Sequence, residues 1–411
     1  MSYYQLFTSN NMLFPSRLIC KFSNEKDNDI FLSKTLHHYL MNSKEQINKY
    51  ENSWDKYKKY INPYEFIHTL IPDYKQSIAK FKPLSRSFYK CIEICNMLKL
   101  LDDYNNTNIK SFHLAEGPGG FIEALCYMRK NKNDKYVGMT LINDDDTNVP
   151  GWKKTQTFLN KNPNVFLEYG LTKTGDLLDP QNFVYINEHY KNSMEVVTGD
   201  GGFDFSIDFN QQESLSFKLI YVQMCYAIML QKYRGHFFLK IFDSFSLNIV
   251  QLIYMLNNLY EKVYIVKPNT SRYANSERYI VCKYFKLMDS KDLFYPLLNN
   301  ISQLKNYEYI TSVYDEKINY YFLIKMEEIN AVIGQQQIEY INSTIELIEN
   351  QDENILSKLI KNHLQKCINW CIKHKIPYYK INTEYYQHND SFTERYNNRN
   401  DYVKDTTTGA V

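Results

Sequence analysis

The chain has 411 residues, 44% of them hydrophobic and 23% charged, enough for two or three domains with a substantial buried core, and neither a small stapled scaffold nor a disordered chain. Its 48 Lys and Arg nearly cancel 46 Asp and Glu, leaving a formal charge of +2, so no global field marks a polyanionic partner and any nucleic-acid contact must be a local patch. The 8 cysteines lack paired spacing, and there is neither a secretory leader nor an apolar run of bilayer length, which reads as an intracellular protein with reduced thiols.

Residues 1–80 mix polar and aromatic runs (ENSWDKYKKYINPYEF) punctuated by Pro63 and Pro72, and read as a mainly helical N-terminal extension. Residues 81–288 change pattern. Seven short β-rich runs, SFHLAE (111–116), KYVGMT (135–140), NVFLEYG (164–170), MEVVTGDG (194–201), GHFFLKIF (235–242), KVYIVKP (262–268) and RYIVCKYF (278–285), follow a helix at SRSFYKCIEIC. Further helical stretches begin after Gly120, Gly151, Glu213 and Ser246. Strands alternating with helices predict a parallel α/β sheet of Rossmann-like type. The last two runs lie too close for a crossover helix, so they should pair antiparallel at a sheet edge, giving six parallel strands and one antiparallel strand. Residues 289–405 read as mainly helical, notably over 326–349 and 353–375, and residues 406–411 as a frayed tail. His363, Cys367, Cys371 and His374 would share one helix face, but a straight helix cannot wrap four ligands around an ion, so packing is expected there and no metal.

The run HLAEGPGGFIEAL puts Gly117, Pro118, Gly119 and Gly120 directly after a strand and directly before a helix starting near Phe121. Glycines let the backbone approach a ligand, and the helix N-terminus offers free N–H groups, which suits a nucleoside-containing ligand. The spacing is not the dinucleotide G-x-G-x-x-G, and the next strand ends in Thr140 rather than an acid, which argues against a nicotinamide enzyme.

Ligands of open α/β sheets bind at the carboxyl ends of strands. Asp200 ends the fourth run, Lys240 lies inside the apolar fifth, Glu277 precedes the last, and Lys90 sits on the helix before the first. A lysine inside a central strand demands a carboxylate partner, so two lysines and two acids are expected to meet, either in a cleft or as a structural ion pair.

These residues resemble the FtsJ-like ribose 2′-O-methyltransferases, and within them the Adrift-type cap methyltransferases, including members from large DNA viruses. The likeness spans roughly residues 81–285, through EGPGGF, GMTL (138–141), GDLLDP (175–180), VTGDGGFD (198–205), FFLKIF and KPNTSRYANSERYIV, in the family's order and spacing. His113 stands where bacterial members carry an acid, with Glu116 nearer the loop instead. The resemblance implies a class I methyltransferase sheet and a Lys-Asp-Lys-Glu catalytic tetrad at Lys90, Asp200, Lys240 and Glu277. It also implies an S-adenosylmethionine site lined by Gly117, Pro118, Gly119, Gly120, Phe121, Thr140, Asp176 and Asp200. Lys240 is then the expected general base, and Lys267, Arg272 and Arg278 the expected phosphate contacts. Capped mRNA is the implied substrate, with other capping or transcription proteins as partners, and host cytoplasm or virion as the place of action for a viral protein. The competing readings are methylation of ribosomal or transfer RNA, or an inactive scaffold of a capping complex, which the intact tetrad disfavours.

Overall fold

The computed structural model describes residues 2–9, 13–26, 29–72, 74–143, 149, 151–202 and 211–381. The end of VTGDGGFD and the closing TTTGAV lie outside the described residues. The chain divides into a unit of residues 1–49 and 83–342 and a second of residues 50–82 and 343–411.

In the first unit the elements run β1 (Ser2–Gln5), β2 (Lys21–Ser23) and α1 (Lys34–Gln46). After α2 (Glu51–Ile61), which belongs to the second unit, come α3 (Ser87–Leu98), β3 (Lys110–Leu114), α4 (Gly120–Arg129), β4 (Lys135–Met139), α5 (Gln156–Lys161) and β5 (Val165–Glu168). The order continues with α6 (Pro180–Tyr190), β6 (Met194–Gly199), α7 (Gln212–Leu230), β7 (Gln231–Ile241), α8 (Leu247–Leu259), β8 (Tyr260–Lys267) and β9 (Arg278–Phe285). α9 (Lys291–Gln303), β10 (Tyr309–Ser312) and α10 (Tyr320–Asn350) follow, α10 passing from the first unit into the second.

All seven expected runs are strands of one sheet, in the order β1-β8-β9-β7-β6-β3-β4-β5. β3 to β7 pair parallel, β9 lies antiparallel between β7 and β8, and β8 points with β7, which makes the six parallel strands and one antiparallel strand of a Rossmann-like methyltransferase fold. Phe237, Phe238 and Leu239 of β7 are all fully buried, because helices cover both faces of the sheet; this is why the run is continuously apolar rather than alternating. The expected edge pairing is half corrected. β8 and β9 do pair antiparallel, but β9 is enclosed, and the edge is taken by β1, whose Ser2 and Gln5 oppose Lys267 and Tyr264. α6 was also not anticipated, although Asp179 caps it by accepting from Gln181 N at 2.9 Å and Pro180 opens its first turn.

His113 in β3 is fully buried, its ring nitrogens 2.8 Å from the hydroxyls of Ser111 and Thr198, and burial pushes its pKa down to about 3. A histidine whose folded pKa is depressed stabilises fully above its unfolded value of about 6.5 and loses that contribution as pH falls toward the folded value. Chemical denaturation between pH 7 and pH 4 should therefore show stability falling, with a shallower slope in His113→Gln.

In the second unit α2, a 3-10 turn at Glu65–Ile67, the end of α10 and α11 (Glu353–Lys373) carry the structure. His363, Cys367, Cys371 and His374 are buried, Cys367 Sγ lies 3.5 Å from the Pro63 carbonyl, and burial lowers both histidines to about 4. Among the described residues no group of three His, Cys, Asp or Glu converges as a metal site, and no helix is long and apolar enough to cross a membrane.

Candidate active site

Because β3 to β6 run parallel, the segments that follow them emerge at one rim. Gly119 adopts φ +108, and a Cβ on Gly117 would stand 2.6 Å from the Gly151 carbonyl and 3.1 Å from Thr140 Cγ2. The loop after β5 is fastened to the loop after β4 by Ile142 N donating to Thr174 O at 2.8 Å. Gly117 to Gly120, Thr140 and Asp176 thus share the rim, and Asp176 Oδ1 accepts from Leu178 N at 2.9 Å. Gly175, at φ +66, is required here, since a Cβ would lie 1.9 Å from the Thr140 carbonyl oxygen. Gly175→Ala combines a left-handed strain of about 1 kcal/mol with a backbone clash, and must shift the segment that carries Asp176 away from the Thr140 carbonyl. It is expected to weaken binding of S-adenosylhomocysteine at least about tenfold by calorimetry, each factor of ten being about 1.4 kcal/mol.

Beside this rim the four tetrad positions come together in pairs. Lys90 of α3 is held by both carboxylate oxygens of Glu277, each at 2.7 Å. Lys240 Nζ donates to the Asp200 carbonyl at 2.7 Å and lies 3.4 Å from Asp200 Oδ1. The side chains of Lys90, Glu277, Lys240 and Asp200 are 5%, 12%, 12% and 14% exposed, so the pairs are largely enclosed rather than on a solvated surface. Burial would raise the Glu277 pKa, but Lys90, Lys240 and Arg86 outweigh it and hold the carboxyl below its ordinary range. Burial lowers the Lys90 pKa, with Glu277 opposing the shift.

The FtsJ-like methyltransferase family matches residues 83–285, the span that carries both the glycine loop and the tetrad. The chain is similar to the cap-specific mRNA (nucleoside-2′-O-)-methyltransferase 1A of Caenorhabditis briggsae, 31% identical over 59% of this chain and 29% of that one. It is likewise 36% identical to the cap-specific mRNA (nucleoside-2′-O-)-methyltransferase 1 of Homo sapiens over 47% of this chain and 24% of that one. The match therefore covers less than a third of either relative.

Three expectations about this span need correction. The N-terminus of α4 is not free for a ligand: Glu116 Oε1 already accepts from Phe121 N at 2.6 Å and Ile122 N at 3.3 Å. Phe121 does not line the loop with its ring, which is fully buried 5.4 Å from Phe238 and 6.1 Å from Tyr279, centroid to centroid. Lys267 and Arg278 are not phosphate contacts, because both are buried and bonded internally. Lys267 donates to the carbonyls of Asn275 and Glu277, and burial brings its pKa down to about 7. Arg278 Nη2 donates to Asp243 Oδ1 at 3.0 Å and its Nη1 to Asn330 Oδ1 at 3.1 Å. Arg272 is half-buried.

Other residues that place the tetrad of the domain escaped sequence reading. Tyr279, opposite Lys240 in the β7–β9 register, donates to Asp200 Oδ1 at 2.9 Å. Gln223 of α7 accepts from Gly201 N at 3.2 Å and fixes the turn that carries Asp200. Glu93, one turn beyond Lys90, accepts from Asn269 N at 3.0 Å and Thr270 N at 3.1 Å, tying α3 to the loop that delivers Glu277. The offset of three residues from Lys90 to Glu93 was a readable signal; the partners of Tyr279 and Gln223 were not.

Proposed function

We propose that this chain transfers a methyl group from S-adenosylmethionine to a ribose 2′-hydroxyl of RNA, at the first transcribed nucleotides of capped mRNA. The observation that carries the reading is the meeting of Lys90, Asp200, Lys240 and Glu277 beside the Gly117–Gly120 loop. The names of the similar proteins support the capped substrate. Matching of the motifs to Adrift-type enzymes of large DNA viruses supports a viral source, with action in the host cytoplasm or virion alongside other capping or transcription proteins. Residues 81–288 are read as the catalytic part, with residues 1–80 and 289–405 as docking regions and Arg272 as an RNA contact.

The residues present fit the methyl donor. The rim offers a backbone cradle at Gly117, and two acidic side chains, Glu116 and Asp200, follow β3 and β6, where they can balance a cationic ligand. S-adenosylmethionine, when bound, supplies an activated methyl group on a sulfonium centre. A ribose hydroxyl is a weak nucleophile at neutral pH, so this chain must position it and accept its proton. Lys240 is assigned that proton. Lys90 is engaged by both oxygens of Glu277, whereas the one short hydrogen bond of Lys240 Nζ goes to the Asp200 carbonyl, which leaves Lys240 the better placed of the two to meet the hydroxyl. The Lys90 ammonium stabilises the alkoxide as it develops, and Tyr279 and Asp200 orient Lys240.

Methylation of a short capped RNA, with the product nucleotide mapped, tests the reading. Transfer to the first transcribed ribose supports it. Transfer that requires ribosomal or transfer RNA, or no transfer to any RNA despite cofactor binding, overturns it in favour of a different substrate or a scaffold.

A further inference from the structure

Glu116 opens the glycine loop as a carboxylate with half of its hydrogen bonding unmet. Its Oε1 accepts two N–H groups of α4, while Oε2 is sealed from solvent and has no hydrogen-bond partner among the described residues. The groups facing it are few in kind. α3 presents the Cys91 thiol, packed at 4.0 Å on Cys95 and pushed up by burial, and the segment after β6 presents Asp200. β7 presents Lys240, already engaged by Asp200, and α4 offers only backbone N–H groups. Burial first, and then the like charge of Asp200, push the Glu116 pKa well above the carboxylate range, more than the two N–H groups and Lys240 pull it down. A buried carboxyl with one unpartnered oxygen and a like charge nearby disfavours ionisation, and an arriving positive charge opposes that.

We propose that Glu116 senses the charge that distinguishes methyl donor from product. In the empty cleft it is a carboxylic acid; when the cationic sulfonium donor binds, it loses its proton to solvent and becomes the balancing carboxylate. Methyl transfer turns the sulfonium into a neutral thioether, the substrate hydroxyl proton goes to Lys240, and Glu116 regains a proton from solvent. Charge balances at each stage, and the product is left without the ion pair that held the donor. The role rests on the methyl-donor reading above and adds to it a reason for the product to leave.

The test is calorimetric titration of the full chain with S-adenosylmethionine and with S-adenosylhomocysteine, in buffers of different ionisation enthalpy, for the unmodified chain and Glu116→Gln. The two ligands share their amino and carboxyl groups, so the difference between them isolates the sulfonium. The donor should release about one proton more than the product, and its affinity should rise with pH by up to about tenfold per unit below the raised pKa of Glu116, the product's staying flat by comparison. Glu116→Gln should erase that difference and reduce the preference for donor over product by about tenfold or more. Equal proton counts in the unmodified chain, or a difference that survives in Glu116→Gln, would overturn the proposal. Should the glutamine variant lack native circular dichroism, the proton counts of the unmodified chain and of Glu116→Asp, which keeps the titrating group and its donor-specific release, decide it. Failure of both ligands to bind would instead sink the methyl-donor reading, and this one with it.

Discussion

Methyl transfer to capped RNA is expected to fall by roughly 10²- to 10⁴-fold in Lys240→Ala, the range for loss of a positioned general base, with cofactor affinity changed little. The reason for the split lies in the bonding of Asp200. That carboxylate keeps the Tyr279 hydroxyl at 2.9 Å when the lysine is gone, and the turn behind it stays fastened by Gln223. The glycine loop and the rim segments at Thr140 and Asp176 make no use of the Lys240 amine for their own geometry. Single-turnover transfer and calorimetry with S-adenosylhomocysteine measure the two quantities separately. Near-normal turnover would remove Lys240 from the role of base, and a parallel collapse of cofactor binding would make it a binding residue instead.

Asp243→Ala is expected to cost about 3–5 kcal/mol of stability, a large part of the 5–15 kcal/mol typical of a folded domain. Asp243 follows β7 and is fully enclosed, with Lys44 of α1 at 2.8 Å on one oxygen and Arg278 at 3.0 Å on the other. Burial alone would raise its pKa, but the two cations outweigh it and hold the carboxyl below its ordinary range. Glu213 joins the cluster by accepting from Phe245 N at 3.2 Å and Ser246 N at 2.8 Å, and Asn330 donates to Ser244 O at 2.8 Å. Removing the carboxylate strands two buried cations, one of them adjacent in sequence to Glu277. Denaturant titration should show the loss, and adding Lys44→Met to Asp243→Ala should recover part of it by removing one unpaired charge. A loss below about 1 kcal/mol would mean that the cluster is solvated and the cations are not stranded.

Much of the catalytic sheet was legible because its signals are local. A strand stretch covered on both faces must be apolar, as β7 is over Phe237, Phe238 and Leu239, so the interruption at Lys240 stood out. The glycine loop was legible for the same reason, since a left-handed residue such as Gly119 and a close approach such as Gly117 are demands on single positions. Glu277 and Lys90 became legible only through their place in motifs, and their pairing at 2.7 Å is the work of elements 187 residues apart.

Charge at the end of β8 and the start of β9 shows where local reading stops. Lys267 and Arg278 look like solvated cations in a polar stretch, yet each is enclosed: Lys267 by the carbonyls it clasps, Arg278 by Asp243 and Asn330. Whether a cation meets solvent or a partner depends on how the chain packs around it, and the residue types at these positions do not encode that. The same holds for the edge strand β1, whose partner β8 lies more than 250 residues further along the chain.

The amino-acid sequence by itself determined the strands, the turn that needs glycine, and the residue types able to move a proton, because these depend on side-chain shape and backbone freedom at single positions. Only the tertiary structure decided which charges are paired, that Glu116 caps the helix expected to be open, and that Tyr279 and Gln223 hold Asp200. Burial and counter-charge are properties of the folded surroundings, and they set both where a side chain points and whether it carries a proton.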